Sequence, residues 1–352
     1  MATGTHDIST LLAARDTSVA AFGLSNIIPI LERELAAHNA IATSFVGEIA
    51  EFTTDRQRKY GVSVAGDMEE VDEYGRSRTQ VGKPGATAGF PLKLYQFAIG
   101  WTRKWFENKT PADLAIAVQA AERAHLRALT REVKKAIMLS ANYTFTDFLV
   151  DNVDLSVKRL VNADSATIPE GPNNETFDGS SHTHYLARAG GSLAASDLTS
   201  AINTVVEHGH GNNVKVAISK TDEATVRALT GFTAYPDPRI IYRNTDTPGT
   251  TLDITRLDNR AIGIFAGAEV WVKSWVPANY VVIWDSGSPL PVIIRQRSGG
   301  TMPGLRIAGD NDAFPLHAQY MEAEFGAAVW NRTNGCCLYF GGTSYANPTI
   351  TS

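Results

Sequence analysis

Apolar residues repeat at three- and four-residue spacing across residues 109 to 139, which read KTPADLAIAVQAAERAHLRALTREVKKAIML. This period predicts one amphipathic α-helix with one side packed on a core. The predicted apolar face consists of Leu114, Val118, Ala121, His125, Leu129 and Val133. At 1.5 Å per residue, about 28 to 30 residues span about 40 to 45 Å, more than twice the average helix length. We therefore expect this helix to cross a whole domain.

The first residues of this helix are types that stabilise a helix N-terminus. Thr110 is a capping residue, and Pro111 occupies a position where a missing N–H group costs little. Asp113 falls at the third helical position, where its charge complements the helix dipole and completes a pattern close to a capping box. The helix is expected to begin at these residues.

The N-terminal region has a weaker pattern. Residues 1 to 24 are rich in Ala and Thr without a firm period, which indicates an arm rather than part of a core. From Ile27 a second helical pattern runs through Leu31, Leu35 and Ile41, and Pro29 is tolerated in its first turn. We expect the arm to dock through this helix.

Residues 50 to 108 combine short β-like stretches, GVSVAG and FPLKLYQFAI, with a charged and glycine-rich middle. An acidic half of that middle is followed by a basic half. The charged residues are Asp67, Glu69, Glu70, Asp72, Glu73, Arg76, Arg78 and Lys83. Apolar residues are too few to offset the entropy of ordering this segment alone, so we predict a two-stranded arm that is stabilised by a partner.

The rest of the chain predicts a mixture of strands and helices. YTFTDFLV and LSVKRLV are predicted strands, and Ser196 is predicted to cap a helix that ends near Gly209. A buried strand VKVAIS, a short helix KTDEATVRAL and a long loop from 235 to 253 follow. The later strands include AIGIFAGAEVWVKSWVPANYVVIWD and PVIIRQ. Near the end, Asn334-Gly335 predicts a hairpin turn between two strands. The pattern favours helices packed on a sheet.

Composition is that of a globular protein, with 43% hydrophobic and 20% charged residues. The 32 basic and 37 acidic residues give a net charge of -5, which argues against a protein whose main task is to neutralise phosphates. The two cysteines, Cys336 and Cys337, are neighbours that alternate across a strand, so we expect two small apolar residues in a reducing compartment. Neither a signal peptide nor an apolar stretch of about 18 residues is present. We therefore expect that the protein is made in the cytoplasm and does not associate with a membrane.

Histidine pairs are the sharpest candidate for chemistry. His182 with His184, and His208 with His210, would offer four imidazoles to a transition metal if each pair lay on one strand face. However, the second pair lies at a glycine-rich helix end, and the first lies in a loop without a carboxylate or cysteine at ligand spacing. We interpret all four as solvated surface residues and predict no metal, no cofactor and no catalytic residue.

Three other short motifs are better explained by turns and loops. DSGS, residues 285 to 288, lacks the surroundings of a serine nucleophile. GKPGATAG, residues 82 to 89, lacks the residue order of a phosphate-binding loop. DND, residues 310 to 312, lacks the remainder of a calcium loop and is predicted to be a turn.

Three sequence segments and the order of the predicted elements resemble those of one protein family. MEEVDEYGR in the charged loop, TPADLAIAVQAAERAHLRALTREVKKAIM in the helix and YVVIWDSGSPLPVIIRQ near the end are similar to tailed-bacteriophage major capsid proteins of the Hong Kong 97 fold. The resemblance covers nearly the whole chain, and the acidic loop before the long helix is its most specific part. It implies an α+β fold with an N-terminal arm, an extended loop, a peripheral domain with one long helix, and an axial α/β domain.

The resemblance assigns a place in the subunit to each segment. Residues 1–49 would be the N-terminal arm, 50–108 the extended loop over a neighbouring subunit, and 109–189 the peripheral domain with the long helix. Residues 190–300 would form the axial domain, with loops such as 235 to 251 around the five- and six-fold axes, and 301–352 would return to the peripheral domain. The eight charged loop residues named above would then contact the next subunit.

A shell role is the function that the resemblance implies. Copies of the chain would form pentamers and hexamers of an icosahedral head around double-stranded DNA, which they would contact without sequence preference. Since no long region precedes the arm, we expect a separate scaffolding protein, together with a portal protein and decoration proteins. The expected location is the virion, after assembly in the host bacterial cytoplasm. An encapsulin-like compartment and a metal-dependent enzyme built on the four histidines are the alternatives.

Overall fold

A computed structural model describes residues 8–60, 68–77, 79, 85–188, 192–235, 259–297, 304–313 and 316–350. Its helices are α1 (Ile8–Ala13), α2 (Val19–Phe22), α3 (Leu24–Val46), α4 (Arg103–Asn108), α5 (Pro111–Met138), α6 (Ala195–Val206) and α7 (Glu223–Arg227). The strands of the first half are β1 (Ala50–Thr53), β2 (Gln57–Tyr60), β3 (Ala86–Gly89), β4 (Lys93–Thr102), β5 (Tyr143–Thr146), β6 (Asp154–Val157) and β7 (Tyr185–Ala187). Those of the second half are β8 (Val214–Ile218), β9 (Phe232–Ala234), β10 (Asn259–Phe265), β11 (Ala268–Lys273), β12 (Tyr280–Asp285), β13 (Val292–Gln296), β14 (Arg306–Ala313), β15 (Leu316–Val329) and β16 (Cys336–Tyr339).

The long helix α5 confirms the prediction from the apolar spacing. It begins at Pro111 and ends at Met138, and every residue of the predicted apolar face is buried. At its start the Asp113 carboxylate accepts hydrogen bonds from the Thr110 N–H and hydroxyl groups, both at 3.1 Å. These bonds and the helix N-terminus stabilise the Asp113 carboxylate and lower its pKa.

Helix α5 lies against β15, the longest strand. The His125 ring contacts Phe325 of β15 edge to face, and the buried Glu132 carboxylate pairs with Lys93 of β4 at 2.6 Å. A five-stranded sheet surrounds β15: β4 pairs along one of its edges, and β13 and β14 pair in succession along the other. Strand β1 pairs in parallel with β13 and completes the sheet.

The N-terminal segment corrects the expectation that residues 1 to 24 stay outside the core. Leu11 of α1 and Val19 of α2 are fully buried, and α1 packs against α5. Helix α3 extends the predicted second helix, with Pro29 inside it and Leu31 and Leu35 buried. Ile41, predicted on the apolar face, is instead exposed, because Ala42 occupies the inward position.

A second sheet is mixed and has seven strands, in the order β7-β16-β12-β8-β11-β10-β9. Helix α6 packs on one face of it. In β12, Val281 and Ile283 face the core beneath α6, whereas Val282 and Trp284 belong to the core shared with α5. A sheet that is covered on both faces needs continuous apolar strands, and all six residues of β12 are buried.

The cysteines lie in β16 as expected from their alternation. Cys336 faces the core beneath α6 and Cys337 faces the core shared with α5, both fully buried and without a disulfide. Burial raises the pKa of both thiols well above the ordinary value, so they are protonated. In the described part of the chain, no helix has the length and hydropathy needed to cross a bilayer.

Three local predictions were wrong. Helix α6 begins after Ala194, whose N–H donates to Asp197 at 3.0 Å, so Ser196 is not its cap. Residues 310–312 lie within β14, where backbone pairing with β15 outweighs their turn preference. Asn334-Gly335 does not join a hairpin, because β15 and β16 belong to different sheets. The buried Asn334 amide instead donates to Asp285 O and Pro289 O and accepts from Asp285 N.

Candidate intersubunit surfaces

The charged loop projects from a two-stranded base. Strands β2 and β3 pair antiparallel, with Tyr60 opposite Ala86, so the chain between them leaves and returns at one point. Gly89 at the end of β3 packs directly on β6, where a Cβ atom would lie 2.7 Å from the Leu155 Cβ. Glycine is therefore required for this close contact between the base of the loop and the β5–β6 hairpin.

Ion pairs hold the base of the loop to the rest of the subunit. The Arg56 guanidinium, just before β2, donates to both carboxylate oxygens of Asp151 at 2.6 and 2.7 Å. These bonds hold the pKa of Asp151 below its usual range. Arg295 of β13 donates to the buried Asp147 carboxylate at 2.9 Å and to Phe90 O at 3.0 Å. The base is thus firmly positioned on the rest of the subunit.

Within the loop, residues 68–77 and 79 are described, and all are exposed. A turn is closed by the Gly75 N–H, which donates to Asp72 O, and by the Tyr74 N–H, which donates to Asp72 Oδ1. Three large apolar side chains nevertheless face solvent: Met68 is 102% exposed, Tyr74 is 87% exposed and Val71 is about half exposed. Water solvates such groups poorly, so these side chains make the loop a candidate for contact with another molecule.

The eight predicted contact residues fall into two groups. Glu69, Glu70, Asp72, Glu73 and Arg76 are exposed on the loop. Among the described residues, Glu70, Glu73 and Arg76 form no ion pair, whereas Asp72 closes its own turn. Asp67, Arg78 and Lys83 lie outside the described residues, as does the whole predicted strand GVSVAG, residues 61 to 66. The contact of these residues with a neighbouring subunit stays a prediction.

The sequence analysis did not predict a second exposed apolar surface. The turn that joins β5 to β6 carries Phe148, Val150 and Val153, which are each at least half exposed. The stretch YTFTDFLV was predicted as one strand, so its last apolar residues were assigned to a sheet. The strand ends at Thr146, and the following residues form a turn stabilised by bonds from Val150 and Asp151 N–H groups to Asp147 O. The signal in the sequence was that the apolar residues of YTFTDFLV continue beyond the end of the strand.

The prediction that all four histidines are solvated surface residues was wrong. His184 is fully buried, the His208 side chain is 2% exposed and that of His182 is 20% exposed. His182, His184 and His208 come together, whereas the His210 Nε2 contacts the Thr333 hydroxyl at 2.9 Å. Helix α6 ends at Val206 and places His208 beside the segment that precedes β7, an arrangement that no local spacing encodes.

The remaining motifs have structural roles in the described residues. Asp285 is fully buried and accepts hydrogen bonds from the Asn212, Asn213 and Gly287 N–H groups and from the Ser288 hydroxyl. The turn interpretation of residues 285–288 is therefore confirmed. The last four residues of GKPGATAG form β3, and its Gly82, Lys83 and Pro84 lie outside the described residues, as does most of the loop from 235 to 253.

The fold is similar to those of phage and phage-like particles. A chain of Mycobacterium phage Patience has a TM-score of 0.69 at 19% sequence identity, and the likeness covers 99% of this chain and 96% of that one. A chain from the capsid of a native GTA particle has a TM-score of 0.50 at 14% identity, covering 85% of this chain and 91% of that one. No protein-family model and no curated protein matches the chain. The predicted capsid fold is confirmed by these likenesses.

Proposed function

We propose that this chain is the major capsid protein of a tailed bacteriophage and that its copies assemble into the icosahedral head shell around double-stranded DNA. The main support for this proposal is the similarity in fold to the chain of Mycobacterium phage Patience over nearly the full length of both proteins. The capsid likeness of the GTA chain points the same way.

The two exposed apolar surfaces support self-association. The loop presents Met68, Val71 and Tyr74, and the β5–β6 turn presents Phe148, Val150 and Val153. In a closed shell every copy offers the same surfaces to its neighbours, so a modest gain at one interface is repeated many times. We assign these surfaces to contacts within and between pentamers and hexamers, with the charges of Glu69, Glu70, Asp72, Glu73 and Arg76 setting the register.

The proposed partners follow from the shell role. Because the net charge is -5, contact with DNA would be limited to phosphate contacts by scattered Arg and Lys residues on the inner face, without sequence preference. A scaffolding protein, a portal protein and decoration proteins would act with the shell during assembly in the host bacterial cytoplasm. The chain would act as a structural component of the virion and not as an enzyme.

Electron microscopy and light scattering on the purified protein test this proposal. We expect closed shells, tubes or rings of many copies, and shells from infected cells should retain DNA that is protected from nuclease. A compact monomer of 38.0 kDa at all salt and protein concentrations would contradict self-assembly. Shells that hold a protein cargo and no nucleic acid would instead favour the encapsulin-like alternative.

A further inference from the structure

Three histidine rings converge on one point near the end of α6. The Nε2 atoms of His182 and His208 lie 3.0 Å apart, those of His184 and His208 lie 3.1 Å apart, and those of His182 and His184 lie 3.2 Å apart. His182 and His184 precede β7, and His208 is 26 residues beyond His182. Three ring nitrogens therefore form a nearly equilateral triangle.

Hydrogen bonds alone cannot satisfy this triangle. A neutral imidazole nitrogen either carries a hydrogen and donates, or carries a lone pair and accepts, and it cannot do both. When three such nitrogens contact one another, at least one contact must pair two lone pairs or two N–H groups. A cation near the centre removes this conflict, because all three nitrogens then direct lone pairs at it.

The surroundings fix the His184 ring in the form that a metal needs. Its Nδ1 atom lies 2.6 Å from Gly335 O, and a carbonyl oxygen only accepts, so Nδ1 carries the hydrogen. Nε2 of the neutral ring must then present its lone pair to the triangle. A histidine that binds a metal through one nitrogen commonly donates from the other to a carbonyl group in this way.

The rings are shielded from solvent. The Phe177 ring covers this group, with its centroid 4.1 Å from that of His208 and 5.0 Å from that of His182. His184 is fully buried, and the His208 side chain is 2% exposed. The group is therefore largely closed to water.

One carboxylate stands beside the triangle. Glu207 Oε1 lies 3.5 Å from His182 Nε2 and 3.9 Å from His208 Nε2. A carboxylate oxygen this near to two of the ring nitrogens can approach a divalent cation that they bind.

We propose that His182, His184 and His208 form a structural binding site for Zn²⁺, with Glu207 as the fourth ligand. Four ligands at about 2.0 to 2.1 Å in a tetrahedron place neighbouring ligand atoms about 3.3 to 3.4 Å apart. The three nitrogens need to separate by only a few tenths of an ångström to reach this spacing. The Glu207 carboxylate must move closer to complete the set, because among the described residues only the three histidines have their ligand atoms within 4.8 Å of one another here. Imidazole nitrogen and carboxylate oxygen are both ordinary zinc ligands.

Four protein ligands leave no open position, which favours a structural role over a catalytic one. The ion would join the segment before β7 to the end of α6. Through the His184 bond to Gly335 it would also reach the segment before β16. The site lies within one subunit and does not depend on shell assembly. The zinc proposal can therefore be tested separately from the proposed capsid function.

Metal binding by the full-length protein tests the site. The protein is stripped with a chelator, dialysed and titrated with Co²⁺, whose visible absorption reports tetrahedral coordination, and with Zn²⁺, whose content is measured by mass spectrometry. We expect about one equivalent per chain, and a thermal midpoint that rises with Zn²⁺ concentration because the ion binds the folded chain.

Single substitutions locate the ligands. His182→Ala and His208→Ala should each weaken Co²⁺ binding at least about 100-fold and abolish the Zn²⁺-dependent rise in midpoint, whereas Glu207→Gln should weaken it about 10- to 100-fold. His210→Ala is the matched control, since His210 contacts Thr333 and should retain the full equivalent. The proposal is overturned if the unmodified protein binds no Co²⁺, or if folded His182→Ala or His208→Ala protein binds as well as the His210→Ala control. Circular dichroism establishes folding of each variant, and His182 is the safest position because it is partly exposed.

Discussion

Apolar side chains are buried in helix α5 but exposed in the loop of residues 68–77. In α5, Val118, Leu129 and Val133 are buried against other parts of the same chain. In the loop, Met68 and Tyr74 are almost fully solvated. The helix thus obtains its stability within the subunit, whereas the exposed apolar side chains of the described loop residues are candidates for contact with another molecule. Changes to the helix should affect folding, and changes to the loop should affect assembly.

The largest expected effect comes from reversing the loop charges. Replacement of Glu69, Glu70, Asp72 and Glu73 by Lys should abolish shells and leave the subunit folded. Each reversed pair turns an attraction of roughly 0.2 to 1 kcal/mol into a repulsion, and the change is repeated at every interface. Electron microscopy and circular dichroism on the same preparation measure both properties. Normal shells would show that the loop is not an intersubunit contact, and an unfolded spectrum would place it in the subunit core.

A substitution in α5 should have the reverse pattern. Leu129 is buried, so Leu129→Ala leaves a cavity and should lower the free energy of unfolding by about 2 to 5 kcal/mol. Ile116 lies on the exposed face of the same helix, and Ile116→Ala should change that free energy by less than about 0.5 kcal/mol. Denaturant unfolding of the dissociated subunit compares the two variants. Similar losses in both would contradict the burial pattern of α5.

A smaller effect should depend on pH. Burial and the neighbouring Glu34 raise the pKa of Glu122 on α5 to about 7, and Glu122 Oε1 is buried without a hydrogen-bond partner among the described residues. The folded chain therefore binds a proton more tightly than the unfolded chain. The resulting stability is present below the ordinary pKa of 4.5 and is lost as pH rises through about 7.

Glu122→Gln should consequently stabilise the dissociated subunit by about 1 kcal/mol at pH 8, with a discount for partial exposure, and by little at pH 4. Thermal unfolding across this pH range measures the difference. Glu107→Gln, at an exposed surface pair with Lys104, is the control and should show no such trend. An advantage of the Glu122 variant that grew as pH fell would contradict the raised pKa.

The smallest effect concerns the helix start. Asp113→Ala removes the acceptor for the Thr110 N–H and hydroxyl groups and should cost about 0.5 to 1 kcal/mol of unfolding free energy. Because the pKa of Asp113 is lowered in the folded chain, its contribution is present above the ordinary pKa of 3.8 and is lost as pH falls through the lower folded value. Equal stability of variant and unmodified subunit at pH 7 would show that α5 does not need this cap.

The sequence by itself determined the features that depend on residues within a few turns of one another. The length of α5, its buried face and its Asp113 cap follow from spacing and local hydrogen bonding, and the alternation of Cys336 and Cys337 follows from the strand period. These features were predicted correctly since no distant part of the chain competes for them. The prediction of a coreless arm over residues 50 to 108 was wrong for β1 and β4, because both strands pair within the five-stranded sheet.

Only the tertiary structure decided which distant segments meet. Strand β15 has both edges occupied by β4, β13 and β14, so β16 pairs in the other sheet and Asn334-Gly335 cannot close a hairpin. His184 meets His208 across 24 residues and Gly335 across 151. Leu11 and Val19 are buried because α3, α4 and α5 surround them, despite their weak local period. Packing of this kind is set by the free energy of burying complete surfaces, which no short pattern of residues records.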